Sequence, residues 1–308
     1  MLLYALKRLV ISIGTLAVVI TCVFFLVHSA PGGPFDGERR LPPEIEKNLK
    51  AAYHLDKPVS EQFLIYCSNL LKGDLGPSFK QKDFSVSQLI ESGLPVSAVL
   101  GLCALLFALA MGLIIGVFCG MNAGHLLDQI LMAISNFNLA VPSIVSCPIL
   151  ILFFAVGLSW LPAGGASSGL HYVLPSIALG LPFSGAIARL IRGSMIETAF
   201  EPHIMTAKAK GLSRSRITIL HKLPIAITPV LSFLGPASAS LLTGSVVVEQ
   251  IFDLPGIGRY FVQGAINKDY TLVMGVVIVY SSAILMFNLA VDLIYGLFDP
   301  RMSIQANQ

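Results

Sequence analysis

The sequence is poor in charge. Of its 308 residues, 12% are Asp, Glu, Lys or Arg, where an ordinary soluble domain carries roughly 25%. Hydrophobic residues make up 55% and the mean hydropathy is +0.79. That balance excludes an ordinary soluble enzyme. It also excludes a disordered chain, which needs low hydrophobicity. Several chemical motifs are missing too. There is no H-E-x-x-H for a membrane metalloprotease and no G-x-x-x-x-G-K-[ST] to cradle a nucleotide. There is no G-x-S-x-G nucleophile elbow. The six histidines (28, 54, 125, 171, 203 and 221) lack metal-ligand spacing. Of the five cysteines only Cys67 lies outside the apolar runs, so no disulfide can staple the segment that holds it. These absences leave a chain without a catalytic centre, metal or cofactor of its own.

The charges that exist are clustered. Five long windows hold none: Leu9–Val27, Ser92–Leu127, Gln129–Ala188, Leu223–Val248 and Tyr270–Val291. A helix needs about 20 apolar residues to cross a hydrocarbon core of about 30 Å. The 60-residue window Gln129–Ala188 therefore holds two spans, separated by Trp160-Leu161-Pro162 and a Gly/Ser run to Gly169. The expectation is an all-α polytopic membrane protein with six transmembrane helices, near 9–28, 96–119, 129–157, 171–192, 223–248 and 271–296. The first is read as an uncleaved helix, because its 19 uncharged residues exceed a signal-peptide core of 7–15. No Asp or Glu falls in the middle of any span.

Lys and Arg set the orientation. With the N-terminus inside, ten basic residues fall on the inner side, seven of them within 189–222, while the short outer loops hold only Arg259 and Lys268. The reading is N-in, C-in. The positive sign of 189–222 is explained by topology, so no nucleic-acid partner is inferred from it. Four regions follow: 1–28, an N-terminal helix; 29–95, an external cap segment with amphipathic stretches at Pro43–Tyr53 and Ser60–Leu71; 96–300, the membrane domain with an inner loop at 193–224; and 301–308, an inner tail.

Within the spans, Gly112, Gly116 and Gly120 form a small-xxx-small line that lets two backbones approach closely. Gly235/Ala239 and Ser240/Gly244 repeat the pattern. Pro142, Pro148, Pro175, Pro182, Pro229 and Pro236 interrupt several spans. Freed backbone groups at membrane depth must face protein or a hydrated cavity. Asn136, Asn138, Ser238, Thr243 and Asn288 are the candidate polar lining of a pathway. The outer segment Phe252-Asp253-Leu254-Pro255-Gly256-Ile257-Gly258 is too apolar to lie free in water and is expected to fold back between helices.

The inner loop reads Met205-Thr206-Ala207-Lys208-Ala209-Lys210-Gly211-Leu212 and then Ser213 to Pro224. Gly211 suits the left-handed residue that ends a helix. Ser213 suits the cap of a second helix. Leu223-Pro224 suits the opening of the fifth span, where Pro is tolerated in the first turn. The outcome is a stiff helix–turn–helix projecting from the membrane. This segment resembles the coupling loop of binding-protein-dependent ABC importer permeases, E-A-A-x3-G-x9-I-x-L-P. Ala207, Gly211, Leu223 and Pro224 match at the right spacing, while Met205, Thr206 and His221 stand where the pattern has Glu, Ala and Ile. Further segments resemble the oligopeptide branch of that family: 30–42, 53–58, 73–79, 188–195, 246–258 and 292–301.

The resemblance implies the type I (MetI-like) permease fold in a bacterial inner membrane. It also implies an ATP-driven oligopeptide importer, with dipeptide, muropeptide or nickel import as near alternatives and a channel or carrier working without an ATPase as the alternative outside the family. The implied partners are a second homologous permease, two cytoplasmic ATPases that bind ATP and Mg²⁺, an external peptide-binding protein, the peptide, and membrane lipid. By resemblance His203, Thr206, Ala207, Lys208, Ala209, Lys210, Gly211, Leu212, Leu223 and Pro224 form the ATPase-coupling segment, centred on Ala207 and Gly211. Glu249, Phe252, Leu254, Pro255, Gly256 and Gly258 are candidates for an outer gate or a binding-protein contact.

Overall fold

A computed structural model describes residues 2–30, 55–81 and 83–298, with side chains for residues 5–30, 55–81 and 83–293. The expected helix at Pro43–Tyr53 and the tail 301–308 lie outside the described residues. All regular structure among the described residues is helical, apart from one isolated bridge between Pro77 and Ser85.

The long elements are α1 (Leu2–Ser29), α3 (Val86–Met121), α6 (Val173–Thr198), α10 (Thr228–Ile251) and α12 (Tyr270–Phe298). Between α3 and α6 lie α4 (Leu126–Ala140) and α5 (Ser143–Leu150). The second continues as a π-helical stretch, Ile151–Gly157. α2 (Val59–Leu71) lies outside the bundle's long helices, and α11 (Ile257–Ile266) joins α10 to α12.

Several boundaries differ from the sequence-based expectation. α3 begins at Val86, ten residues before the expected span. Ser85 caps it by accepting from the Gln88 N–H at 3.3 Å, and the Gln88 side chain returns to the Ser85 N–H at 3.0 Å. The expected straight span at 129–157 is broken: the α4 and α5 axes meet at 110°. Pro142 causes the break, because it holds Val141 in an extended conformation (ψ 117°) and cannot continue the helical ladder. The fifth span opens at Thr228 rather than Leu223. Leu223–Ala226 forms a separate turn (α9), since Pro229 has no N–H to carry the helix through Ile227. The outer segment 249–269, expected as loop, contains α11.

The way the helices pair fixes how often the chain crosses. α1 and α12 are antiparallel. Ile20 and Phe24 pack with Met274 and Ile278, His28 meets Tyr270, and Arg8 pairs with Asp292 at the other end at 3.1 Å. α3 and α6 are parallel. Gly112 meets Ser184 and Ile187, Gly116 meets Ala188 and Ile191, and Gly120 meets Arg192 and Met195. Parallel neighbours require the intervening chain to return to the starting side, so α4 and α5 together make one traverse. Ser135 packs on Gly185, and Cys147 joins the core cluster that holds Leu174, in keeping with a single broken span that runs along α6. With the five long helices this gives six traverses. The start of α1, the α3–α4 turn, residues 199–227 and the end of α12 then share one face. The end of α1, α2 and α11 share the other.

The core lies between α3, α6 and α10, where Leu100, Ala104, Leu174, Ala178, Leu179 and Leu241 are buried. α6 is the central helix, buried over most of its length. α1 is peripheral. Val10, Ile11, Ile13 and Val18 face outward and would contact lipid or another subunit.

Candidate functional site

The face shared by the start of α1 and the end of α12 carries a protrusion. α7 (Pro202–Ala209) begins at the extended Glu201 and has Pro202 in its first turn, where a missing N–H costs nothing. It stops at Gly211, whose φ of +73° is the left-handed conformation that glycine adopts without strain. The Gly211 and Leu212 N–H groups close onto the carbonyls of Lys208 and Ala207 at 2.9 and 3.3 Å. Ser213 then caps α8 (Arg214–Ile217), accepting from the Arg216 N–H at 3.4 Å. A π-turn, Thr218–Lys222, leads into α9.

The protrusion has a core of its own, formed by Ile204, Ala207 and Ile217 with Leu212 against them. This corrects the expectation that Ala207 is the centre of a docking face. Ala207 points inward, and its small side chain lets α7 and α8 close on each other. The outward face is built instead from His203, Met205, Thr206, Lys208, Ala209, Lys210 and Gly211, all exposed. Phe200 and Met205 are large apolar side chains on that surface. Leu223 is half-buried and Pro224 exposed at the root. The arrangement presents a short rigid helix whose exposed side is apolar at one edge and cationic at the other. It contains no nucleophile–base pair. Its chemistry is recognition by shape and charge.

Behind α7 is a cavity of about 450 Å³ lined by Lys208, Arg214 and Lys222 with Met121, Leu212 and Thr218. Burial, with added repulsion from Lys208 and Arg214, pushes the Lys222 ammonium below the usual lysine range.

A buried ion pair sits where α4 leaves this face. Asp128, fully buried, takes the Arg192 Nε at 2.6 Å and Nη2 at 2.8 Å, and it accepts the Gly124 N–H at 2.9 Å. The bidentate geometry ties the start of α4 to the end of α6. Sequence reasoning placed Asp128 between two uncharged windows and Arg192 at the end of the expected span 171–192 but gave no sign that they pair. Their positions 64 apart carry no periodic signal.

At the opposite face the segment 249–258 folds inward, as its apolar composition suggests. Glu249, Phe252, Leu254, Gly256 and Gly258 are buried, while Gln250, Asp253 and Pro255 are exposed. Glu249 Oε2 accepts the Gly258 N–H at 2.9 Å, and Ser97 Oγ accepts the Ile257 N–H at 2.9 Å. The carbonyl of Phe252 accepts the Gly165 N–H at 2.8 Å, which joins the α5–α6 connection to the end of α10. Glu249 is therefore an internal clamp inside α10, not a loop residue open to an external protein. The candidate lining residues are dispersed. Asn136 and Thr243 are exposed on α4 and α10, and Asn138 is half-buried. Ser238 is buried and donates to the Leu234 carbonyl, while Asn288 packs on Gly235.

Residues 112–304 match the family described as "Binding-protein-dependent transport system inner membrane component". The chain belongs to this family. It is therefore an inner membrane permease, and the protrusion described above lies within the matched region. The chain is 46% identical over 304 residues to the oligopeptide transport system permease protein OppB of Haemophilus influenzae, covering 98% of this chain and 99% of that one. It is 40% identical to the dipeptide transport system permease protein DppB of Bacillus subtilis, covering 98% of each. Among solved structures, a permease of the MetNI methionine ABC transporter in an inward-facing conformation gives a TM-score of 0.55 at 20% identity. That match covers 69% of this chain and 97% of the other. At that identity it establishes the type I importer permease fold.

Proposed function

We propose that this chain is one of the two membrane permeases of an ATP-driven oligopeptide importer. The observation that carries the reading is the near-complete likeness to oligopeptide permeases over 304 residues. In this reading the face with the protrusion, the start of α1 and the end of α12 is cytoplasmic, because it holds the concentration of Lys and Arg. The chain pairs with a second homologous permease. Two cytoplasmic ATPases hold ATP and Mg²⁺, and an external binding protein delivers peptide.

The mechanism is alternating access. Closure of the ATPases moves the exposed helix α7. Its own small core makes the protrusion a rigid unit, so force passes to α9, α10 and the α6 end rather than being lost in a loop. The Asp128–Arg192 pair carries the displacement of α6 to α4. At the other face, the Glu249 clamp holds α11 against α10 and α3 and keeps the outer mouth shut until these helices separate.

Reconstitution of the complete complex tests the proposal. ATP and binding protein together should drive uptake of peptides several residues long into proteoliposomes. Uptake in the absence of the ATPases would overturn it. The 40% likeness to a dipeptide permease makes length selectivity a second readout. A preference confined to dipeptides would move the substrate class without changing the coupling scheme.

A further inference from the structure

We propose that the cavity behind α7 is a binding site for the phosphate headgroup of an anionic phospholipid of the inner leaflet, held by Lys208, Arg214 and Lys222. The proposal rests on the cytoplasmic assignment of this face and not on the identity of the cargo.

Three observations converge. First, three cations border one cavity of about 450 Å³, a volume within the usual range for small-molecule sites. Among the described residues none of the three has a carboxylate partner. Second, Lys222 is disfavoured in its charged form by burial and by its neighbours Lys208 and Arg214. A bound phosphate reverses that balance. Third, the cavity adjoins the end of a membrane-spanning helix. Met121, the last residue of the membrane-spanning α3, forms part of its wall. Ile219 and Leu220, which precede His221 and Lys222, are 60% and 57% exposed. A free phosphate has no use for two bare aliphatic side chains in the turn that precedes Lys222. A phospholipid uses both, with the phosphodiester on the cations and an acyl chain along Ile219 and Leu220. Basic pockets between helices on the inner side of a membrane are a recognised way to hold anionic headgroups.

The consequence is that lipid would brace the protrusion from behind. α7 contributes Lys208, and the segment leading to α10 contributes Arg214 and Lys222. One phosphate bridging them ties the coupling helix to the base of the fifth span.

The test uses the whole transporter in nanodiscs, with native mass spectrometry counting retained phosphatidylglycerol against phosphatidylcholine. The wild-type complex should retain phosphatidylglycerol through delipidation. Arg214→Gln combined with Lys222→Gln should weaken retention roughly thirtyfold, at about 1 kcal/mol per cation removed. Lys222→Arg should retain it. Ile219→Ser with Leu220→Ser keeps all three charges and should still weaken retention, which guards against misfolding of the charge variant. Unchanged retention in both double variants overturns the proposal. Displacement of the lipid by millimolar inorganic phosphate would also overturn it and point to a free anion. Loss of ATPase subunits with lipid retention intact would assign the cations to an acidic surface of the ATPase instead. ATP-driven uptake persisting in pure phosphatidylcholine while lipid retention fails would leave the transport reading standing and remove only this one.

Discussion

Gly211 and Ala207 both match the same sequence pattern, yet they serve different physical ends. Gly211 is set by backbone: at a φ of +73° an L side chain is strained, and a Cβ there would meet nothing within 4 Å. The constraint is conformational and not steric. Gly211→Asn should be tolerated, because Asn visits this region with little penalty. Gly211→Val should cost about 1–2 kcal/mol and tilt the end of α7. Proteoliposomes should then show ATP hydrolysis continuing while peptide uptake falls severalfold; full uptake by the Val variant would remove the coupling role. Ala207 is set by packing. Ala207→Leu places three carbons into a core of Ile204, Ile217 and Leu212 and should destabilise by about 1–3 kcal/mol. Ala209→Leu, two residues on, nearly on the opposite side of the helix and exposed, should leave thermal stability unchanged and weaken only the association with ATPase subunits. Co-purification of the ATPases and the melting midpoint separate the two. If Ala209→Leu lowered stability and Ala207→Leu did not, the inward and outward faces assigned to α7 would be reversed.

Among the elements, the most extensive contact is between α3 and α6. A Cβ on Gly116 would lie 2.7 Å from the Ala188 carbonyl oxygen and 2.7 Å from Ile191 Cβ, and one on Gly120 would lie 2.6 Å from Met195 Cβ. Even Gly116→Ala forces the helices apart, and Gly116→Leu should lower the melting midpoint of the complex by several degrees. The same substitution at Gly14, where nothing lies within 4 Å, should be silent. The α4–α6 junction depends on charge. Asp128→Ala strands Arg192, which is only partly exposed at 32%, and should cost about 3 kcal/mol. Adding Arg192→Met should recover part of the loss. A double variant no better than the single would show that the pair does not act as a unit.

This contrast marks what could be read from sequence. The Gly112/Gly116/Gly120 line was legible because a four-residue spacing has one structural meaning in an apolar helix. Its partner was not legible, since Ser184, Ile187 and Ile191 are unremarkable residues on a distant helix. Pro142 was legible as an interruption. Its 110° consequence was not, because a proline can kink a helix or end it and the neighbouring packing decides. The cap at Ser85 extended α3 backward through Glu91 to a start that a charge-free window could not show. For the site, Gly211 and Ser213 announced themselves by type. The inward turn of Ala207 and the burial of Glu249 depend on tertiary contacts that one sequence does not display.

At the scale of the whole molecule, the parity of crossings makes the remaining claims consistent. Arg8 against Asp292 puts the start of α1 and the end of α12 on one face, which an odd number of traverses forbids. The parallel α3–α6 pair independently requires the bent α4–α5 unit to cross once. If α4–α5 instead dipped in and returned, α6 would have to run antiparallel to α3, and Gly112, Gly116 and Gly120 would lose their partners in order. Topology is therefore testable at two positions. In a background with the five native cysteines replaced, Ser215→Cys on the exposed protrusion and Gln263→Cys on α11 should lie on opposite faces. A membrane-impermeant maleimide added to intact spheroplasts should label the residue 263 thiol and spare the residue 215 thiol, and lysis should expose the second. A third cysteine at Asn122, in the α3–α4 turn, should behave like residue 215, while one at Ser167, after α5, should behave like residue 263. Labelling of both Asn122→Cys and Ser167→Cys from the same side would make α4–α5 a re-entrant hairpin and break the six-traverse arrangement. Labelling of residue 215 from outside would invert the protein and remove the basis for both the ATPase contact and the inner-leaflet lipid site.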